Sequence, residues 1–507
     1  MSAGALADEV VTTIRSAGWE AAAALVEQHW DRLATTDPVQ LLAAVKALPA
    51  DAFLRNPGLI VATNYLEHVA VGGDPRRVHL AMQHGPAATA DGLLPRLIML
   101  TNDSAAARVR DEPIEAARIA EAALRELGAA PAPVVAPIGT SLAHLRMQWA
   151  RSFDAADSPR ARGAYEEVYE LALATGQPHV ARRAAGSAAW WYAERGRTDR
   201  SEEWVRRAHA TGVVEERYDA PLHLAEGLLL ADRDDVVGAD AMLTKAEDVG
   251  IGEYWAAGLF VRAFLAHNVA AAAIVESSLA DHVQRHPAAV TSPGATGRFL
   301  RVARVRVMIL RGRIPEGTGE LVDVSHSDRA VAAGVAYAEG RHHDALALIR
   351  PIAEAAEAGA DPRLQASALL VQSAAALALG YTDTAVHAFQ RADALIQHQR
   401  LHTTYDCIDP DSLVRLVDLS GSDTQRATRV ASFRRDLPGL TQRENDILAL
   451  LATDRTAEQI ARTLFISPNT LKTMTRRLYR KLGVSSRSAA VDHAHRAGFT
   501  LGAGTGP

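Results

Sequence analysis

A chain of 507 residues exceeds the size at which one hydrophobic core keeps growing, so roughly two to four domains are expected. Hydrophobic residues supply 48% and aromatics 5%, with alanine and leucine abundant, which excludes a disordered chain and favours close-packed helices over sheets. The single cysteine, Cys407, excludes an intramolecular disulfide or a cysteine-built zinc cluster, and the formal net charge of −6 makes the chain as a whole anionic.

The opening MSAGALADEVVTTIRSAG carries acids early and no basic leader before a long apolar run, so it does not read as a signal peptide. No uninterrupted apolar stretch is long enough to span a bilayer, and a cytoplasmic protein without a membrane partner is the expectation. From residue 1 to about 400 the chain reads as helix after helix. Residues 18–34 place Trp19, Ala22, Ala23, Val26, Trp30 and Leu33 at helical spacing. Asp37-Pro38, Asn56-Pro57, Ser158-Pro159 and Asp361-Pro362 each set a capping side chain before a first-turn proline, so each predicts a helix start. Residues 129–137, AAPAPVVAP, are too rich in proline for a helix. They are expected to link an N-terminal helical subdomain (1–128) to a larger one (138–400). A second turn-rich break falls at 286–297.

Three segments share one layout: an apolar helix, a glycine, a short turn, then a helix with spaced alanines. They are AAWWYAERGRTDRSEEWVRRAHATG (188–212), GVAYAEGRHHDALALIRPIAEAAEAG (334–359) and ALLVQSAAALALGYTDTAVHAFQRADALI (368–396). Gly196, Gly340 and Gly380 stand where a left-handed backbone is needed, and Ala345, Ala347, Ala385, Ala388 and Ala392 let facing helices approach. The recurrence resembles degenerate tetratricopeptide repeats, which stack into a curved solenoid with a concave binding face. Residues 401–437, with HTTYDCIDPDS and SGSDTQRATR around a short apolar patch, are expected to be a partly ordered hinge.

Charge is distributed unevenly. Residues 438–499 hold ten cations (Arg443, Arg455, Arg462, Lys472, Arg476, Arg477, Arg480, Lys481, Arg487, Arg496) against five acids (Glu444, Asp446, Asp454, Glu458, Asp492), hence about +5 here and −11 elsewhere. A small cationic module on an anionic body suits one nucleic-acid contact. Its helix signals are explicit. Thr441 and Glu444 form a capping box, with Ile447, Leu448 and Leu451 as the buried stripe. Thr456 and Gln459 repeat the box, with Ile460 and Ala461 inward. Ser467 caps a third helix and Pro468 takes its first position. Leu471, Thr475, Leu478 and Leu482 are expected to face inward, and Gly483 to stop the helix. Ser485 or Ser486 opens a fourth, with Ala490, Val491 and Ala494 as its seam.

The opposite face of the third helix carries Asn469, Lys472, Thr473, Arg476 and Arg480. A short helix, a turn and a longer helix with such a face is the arrangement that enters the major groove. Lys472 and Thr473, near the N-terminal end, are expected at base edges; Arg476, Arg477 and Arg480 are expected at phosphates. Free N–H groups over Ser467–Thr470 offer a further phosphate site, and Arg462 and Thr456 on the second helix are phosphate candidates.

The stretches LTQRE, EQIARTLFISPNTLKT, RKLGVSSR and AAV resemble the DNA-binding domain of LuxR-type transcriptional regulators over about sixty residues. The resemblance implies a four-helix domain whose third helix reads DNA and whose fourth often dimerises it. It makes Lys472 the recognition-helix lysine and Glu444 a first-helix glutamate that supports the fold. Departures are Met474 where the family often has histidine, Thr475 for valine and Arg477 for asparagine. Arg455 and Ala457 stand for a glycine and an asparagine. Thr475 is expected to weaken the stripe unless its hydroxyl bonds back along the helix.

The body is similar to the helical sensor part of large maltose-activator-type regulators of this family, without their ATPase. The phrase AAVKALPADAFLRNPGLIVATNYLEH (43–68) carries that likeness. The chain has four lysines, Lys46, Lys245, Lys472 and Lys481, and none follows a glycine-rich phosphate loop. Clustered acids of a phosphoacceptor domain are also missing. His342-His343-Asp344 lies in a repeat turn, and His282 with His286 has no carboxylate at ligand spacing, so neither is expected to bind metal. No nucleophile motif is visible, and no enzyme activity or cofactor is expected. Trp190, Trp191, Tyr192 and Trp204, with Trp149 and Trp255 on neighbouring units, read first as packing and second as the wall of an effector pocket. RFLRVARVRVMILRGR (298–313) reads as one helix carrying Arg298, Arg301, Arg304, Arg306, Arg311 and Arg313. Val302, Val305 and Ile309 are its expected apolar side, with its cations solvated or paired with acidic neighbours. An anionic effector is the second reading of that helix.

These readings add up to an all-α chain: a tetratricopeptide-like α-solenoid followed by a four-helix LuxR-type helix-turn-helix domain at 438–501. The expected function is sequence-specific binding of promoter DNA as a homodimer, with a small-molecule or protein effector sensed by the body and RNA polymerase as a further partner. The alternative is a repeat-based interaction scaffold whose DNA binding is vestigial or partner-dependent.

Overall fold

A left-handed residue at the end of one helix is what folds this alanine-rich chain into hairpins. The computed structural model describes residues 5–49, 92–212, 218–266, 269–311, 326–354, 361–422, 442–451 and 455–496, with single gaps at 483 and 485 and a few isolated positions elsewhere. Among the described residues the fold is all-α, with no strand. Helices α1 (Ala5–Ala17), α2 (Trp19–Thr36) and α3 (Pro38–Lys46) enclose a small core of Leu6, Val10, Ala22, Val26 and Leu41.

After residue 92 the helices come largely in pairs. α4 (Leu93–Val109) pairs with α5 (Pro113–Ala129), and one short turn of helix, α6 (Ala132–Val135), follows. α7 (Gly139–Ala155) pairs with α8 (Arg160–Ala174), α9 (Pro178–Glu194) with α10 (Thr198–Ala210), and α11 (Ala220–Asp232) with α12 (Val236–Asp248). Next come α13 (Trp255–Leu265), α14 (Val269–Arg285), α15 (Pro287–Thr291) and α16 (Ala295–Arg311). The pairs α17 (His326–Ala338) with α18 (His342–Glu354) and α19 (Pro362–Ala378) with α20 (Thr382–Gln399) complete the repeats before α21 (Pro410–Ser420).

The turn inside these pairs is the same each time. Gly196, Gly340 and Gly380 have φ of 78°, 75° and 80°, as the glycine pattern predicts. Asp111, Asp157 and Asp234 occupy the same turn at φ of 59°, 54° and 61°, because aspartate tolerates this backbone better than most side chains. The residue after each bonds its N–H to a carbonyl five back, as in Arg197 to Tyr192, Arg341 to Ala336 and Asp235 to Leu230. Asp157, Gly196 and Asp234 follow one another at 39 and 38 residues, and Gly340 and Gly380 at 40, so the period is visible once both residue types are counted. Asp37 and Asp361 cap their helices through the amides of Gln40 (3.0 Å) and Leu364 (3.1 Å). The Ser158 hydroxyl accepts from Arg160 N–H at 3.3 Å. Asn56-Pro57 lies outside the described residues.

Three expectations change. The proline-rich 129–137 segment is helical in part: Ala132–Val135 is an α-turn and Ala136–Ile138 a 3-10 turn. Its prolines sit in first turns, where no N–H is needed. Nor does it separate cores, since Leu93, Leu97, Ala120 and Leu127 share one continuous core with Trp149, Trp190 and Phe299. The expected hinge starts as packed structure: Leu401, Tyr405, Ile408, Leu413 and Leu416 are buried with α17–α20 in a second core. Asp409 caps α21 through Ser412 N–H (2.9 Å), a DP start inside HTTYDCIDPDS that sequence reading passed over. On α16 the buried stripe is Phe299, Leu300, Ala303 and Val307, while Val302, Val305 and Ile309 are half-buried. That helix packs against α13, α14, α15 and α17 at once, so one apolar side does not describe it.

The two cores meet across a polar seam. Arg363, at the start of α19, forks onto Asp232 at 2.5 and 3.0 Å and donates to the Ala193 and Glu194 carbonyls at 3.0 and 3.2 Å. Arg306 binds Asp406 at 2.5 Å, and the Thr403 and Ala263 carbonyls at 2.9 and 2.7 Å. Arg298 joins Asp157 and Glu194 at 2.9 and 2.7 Å. The cations of α16 that reach inward are thus paired. Gly196 is required here twice over, because a Cβ would come within 2.8 Å of Leu401 and 2.9 Å of Arg363 backbone nitrogen. Arg363→Ala leaves Asp232 buried without its cation and is expected to cost about 3–5 kcal/mol, read as a lower unfolding midpoint in denaturant.

Candidate nucleic-acid interface

The C-terminal module is built from α22 (Gln442–Leu451), α23 (Ala457–Thr463), α24 (Pro468–Leu482) and α25 (Arg487–Arg496). Ile447, Leu448, Leu451, Ile460, Ala461, Leu471, Leu478 and Ala490 close a core of its own. The second capping box is complete: Thr456 Oγ1 accepts from Gln459 N–H at 3.3 Å and Gln459 Oε1 accepts from Thr456 N–H at 2.8 Å. Thr441 of the first box lies outside the described residues, as do Gly483 and the side chain of Ala494. Ser467 caps α24 through Thr470 N–H at 3.1 Å, and Ser486 caps α25 through Ala489 N–H at 3.1 Å.

The outward face of α24 follows the expectation closely. Asn469, Thr470, Lys472, Thr473, Arg476, Arg477 and Arg480 are all exposed, as are Thr456, Arg462 and Ser467 on the preceding helix and turn. Thr473 folds its hydroxyl back to the Asn469 carbonyl at 3.0 Å. The inward face is wider than expected: Leu471 and Leu478 are buried, and Met474, Thr475 and Leu482 are half-buried, with Met474 and Leu482 packed against the core. The amide row over Ser467–Thr470 is also shorter than expected, since Thr470 N–H is taken by the Ser467 cap and Pro468 has none.

Geometry divides the described cations of 438–499 into two kinds. Lys481 Nζ lies 2.6 Å from Glu444, whose side chain is buried, so this pair ties α24 to α22. Arg487 donates to the carbonyls of Leu451 and Arg455 at 2.6 and 3.0 Å and also reaches that of Thr453, closing the loop between α22 and α23. Arg455 bonds Thr463 at 2.9 Å and Arg443 bonds the Leu464 carbonyl at 2.5 Å. Arg462, Lys472, Arg476, Arg477 and Arg480 instead face solvent together. The Arg496 side chain lies outside the described residues.

Residues 438–494 match the family described as bacterial regulatory proteins, luxR family. The C-terminal module is a LuxR-type helix-turn-helix domain. A 78-residue stretch is 44% identical to the probable transcriptional regulatory protein NarL of Mycobacterium tuberculosis, in strain CDC 1551 / Oshkosh and strain ATCC 25618 / H37Rv alike. The stretch covers 15% of this chain and 33% of the relative, so the chain spans about a third of the length of the curated relatives it matches.

One feature of the LuxR-type domain escaped the sequence reading. Phe465, in the turn between α23 and α24, has φ 53° and is 87% exposed. A bulky side chain in that backbone region is strained, and here the ring gains no burial in return. The chain LFISP gave no glycine to flag the turn. The domain also touches the body, with α22 against α14 and Ile274 against the domain's core.

The four aromatics named as a possible pocket wall pack against different partners. Trp190 is buried against Phe260 and Phe299, at centroid distances of 6.3 and 5.6 Å. Trp191 meets Tyr192 edge-on at 5.2 Å under the Arg195 guanidinium, and Trp204 meets Tyr169 at 5.2 Å. Trp149 donates to Thr101 Oγ1 at 2.8 Å. All four are buried among neighbouring helices, and Trp190 also lines a small cavity. His282 and His286 lie against the Trp255 ring at 5.3 and 5.0 Å.

Two outcomes test this sorting. Phe465→Asn is expected to stabilise the domain by about 0.5–1 kcal/mol, because asparagine accepts the left-handed backbone more readily; thermal unfolding reads it. Lys481→Met is expected to lower stability by about 1–2 kcal/mol, a buried-pair cost reduced by solvent at the ammonium. The same variant should leave the salt dependence of any DNA binding unchanged.

Proposed function

We propose that this chain is a sequence-specific DNA-binding transcription regulator that acts as a dimer on two half-sites. The observation that carries the reading is the shared exposure of Lys472, Thr473, Arg476, Arg477 and Arg480 on one face of α24, behind a short capped helix. Lys472 and Thr473 near the helix start are assigned to base edges in the major groove; Arg476, Arg477 and Arg480, with Arg462 and Thr456, are assigned to phosphates. A single domain of this size buries little surface on DNA, so two-fold pairing is what would give useful affinity at physiological salt. The luxR-family match and the likeness to a probable transcriptional regulatory protein support the same reading.

In this proposal the solenoid receives an effector, either a small molecule or a protein, and alters how the two domains are presented to promoter DNA and RNA polymerase. The contact of α22 with α14 supports a direct route from body to domain. The acidic surplus outside the domain keeps the body off the duplex and leaves one DNA-facing surface.

Quantitative binding with the full chain separates the roles. Lys472→Ala is expected to reduce discrimination between operator and random DNA. Arg480→Ala is expected to weaken both about equally and to lower the salt slope by about one unit. Equal loss of specificity in the two variants would contradict this division, and no duplex affinity in the full chain or in the isolated C-terminal residues would favour the scaffold reading.

A further inference from the structure

A cavity of about 50 Å³ opens inside the solenoid where α7, α9, α13 and α16 converge with the 3-10 turn Gly252–Tyr254. Trp190, Phe299 and Tyr254 supply aromatic walls, and Arg151, Asp154 and Glu253 supply the charged groups. Glu253 is engaged, with Arg108 and Arg151 each at 3.0 Å, and the Arg151 guanidinium lies over the Tyr254 ring at 5.9 Å. Asp154 is different. Among the described residues its half-buried carboxylate accepts one hydrogen bond, from the Tyr165 hydroxyl at 3.1 Å.

Arg195 and Arg298 are near enough to favour its charge, but Asp157 binds both and Glu194 binds them as well. What remains does not offset desolvation: burial pushes the Asp154 carboxyl up to about 6, against the pull of Arg195, Tyr165 and Arg298 and with the repulsion of Asp157. A carboxylate short of countercharge, in a cavity also lined by Trp190 and Phe299, has the chemistry that recognises a cation, and because the Arg298 guanidinium already lies over the Phe299 ring at 4.6 Å the aromatic contact falls to Trp190.

The geometry points to this cavity as a binding site for the ammonium group of a small amine, held by Asp154 and seated beside Trp190. The site deepens the proposal that the body senses an effector and rests on that reading for its biological role, though binding itself is read without DNA. The volume suits a head group, with the remainder of a larger amine at the mouth, where the Arg151 and Glu253 side chains are 19% and 24% exposed. Asp154 is also a residue kept at a cost to stability. Its carboxyl is raised on folding, so ionising it weakens the fold as pH climbs from about 4 through 6. A bound cation would relieve that.

The test titrates the full chain at pH 7.5 with ethylammonium chloride at constant chloride, reading tryptophan fluorescence and Tm. Three non-hydrogen atoms limit affinity to about the millimolar range. Saturable change is expected there, with affinity at least tenfold weaker in Asp154→Asn and likewise at pH 5. Ligand-free Asp154→Asn is expected to have a higher Tm than the parent at pH 7.5 and no gain at pH 4, which also shows that the variant folds. Trp190→Phe should lose most of the fluorescence signal yet keep the Tm response. No saturable ethylammonium effect, an equal effect in Asp154→Asn, or tighter saturation by sodium propionate would overturn the assignment. Failure of the DNA-binding reading is registered separately, by the operator measurements, and leaves this result standing.

Discussion

The body depends on charged groups that have no water to fall back on. Arg363 and Arg306 reach from one packed half of the solenoid into the helix ends of the other, where Asp232, Asp406 and a set of backbone carbonyls receive them. Each arginine satisfies several acceptors at once, and the buried carboxylates it meets would otherwise lack a countercharge. The apolar clusters on either side do not merge, so this seam sets how residues 93–307 and 333–417 sit against each other. Gly196 belongs to the same constraint, since the left-handed turn it allows is also the surface on which Leu401 and Arg363 rest.

The same logic sorts the cations of the C-terminal domain. Lys481, Arg487, Arg455 and Arg443 are spent on Glu444, on carbonyls and on Thr463, and these bonds fix the angles between its helices. What remains outward is a smaller and better aligned set on α24 and α23. A basic count of the module therefore overstates the charge on its outward face.

In the body, the large aromatics are structural where they are ringed by partners, as Trp204, Tyr169 and Trp191 are. The exception sits at Trp190, whose far side faces a small void with an undercompensated carboxylate. A buried carboxylate with one hydrogen-bond donor and guanidinium groups shared with Asp157 and Glu194 is a poor choice for stability.

Much was legible in the sequence because it rests on local chemistry. Capping residues, first-turn prolines and the alternation of apolar and cationic positions after Ser467 act within one or two helical turns, so α24, its outward face and the glycine hairpins could be read directly. The aspartate turns at 111, 157 and 234 were equally local but hidden, because aspartate is common in ordinary surface positions. Tertiary structure alone decided the rest. Nothing in spacing says that Lys481 reaches the buried Glu444 while Arg480 beside it faces solvent, that residues 401–420 join a core, or that Arg363 meets Asp232. Nor could sequence bring Asp154, Trp190 and Phe299 to one cavity. Those outcomes depend on which helix ends meet after the chain has curled, and contact between residues far apart in the chain leaves no periodic trace in the sequence.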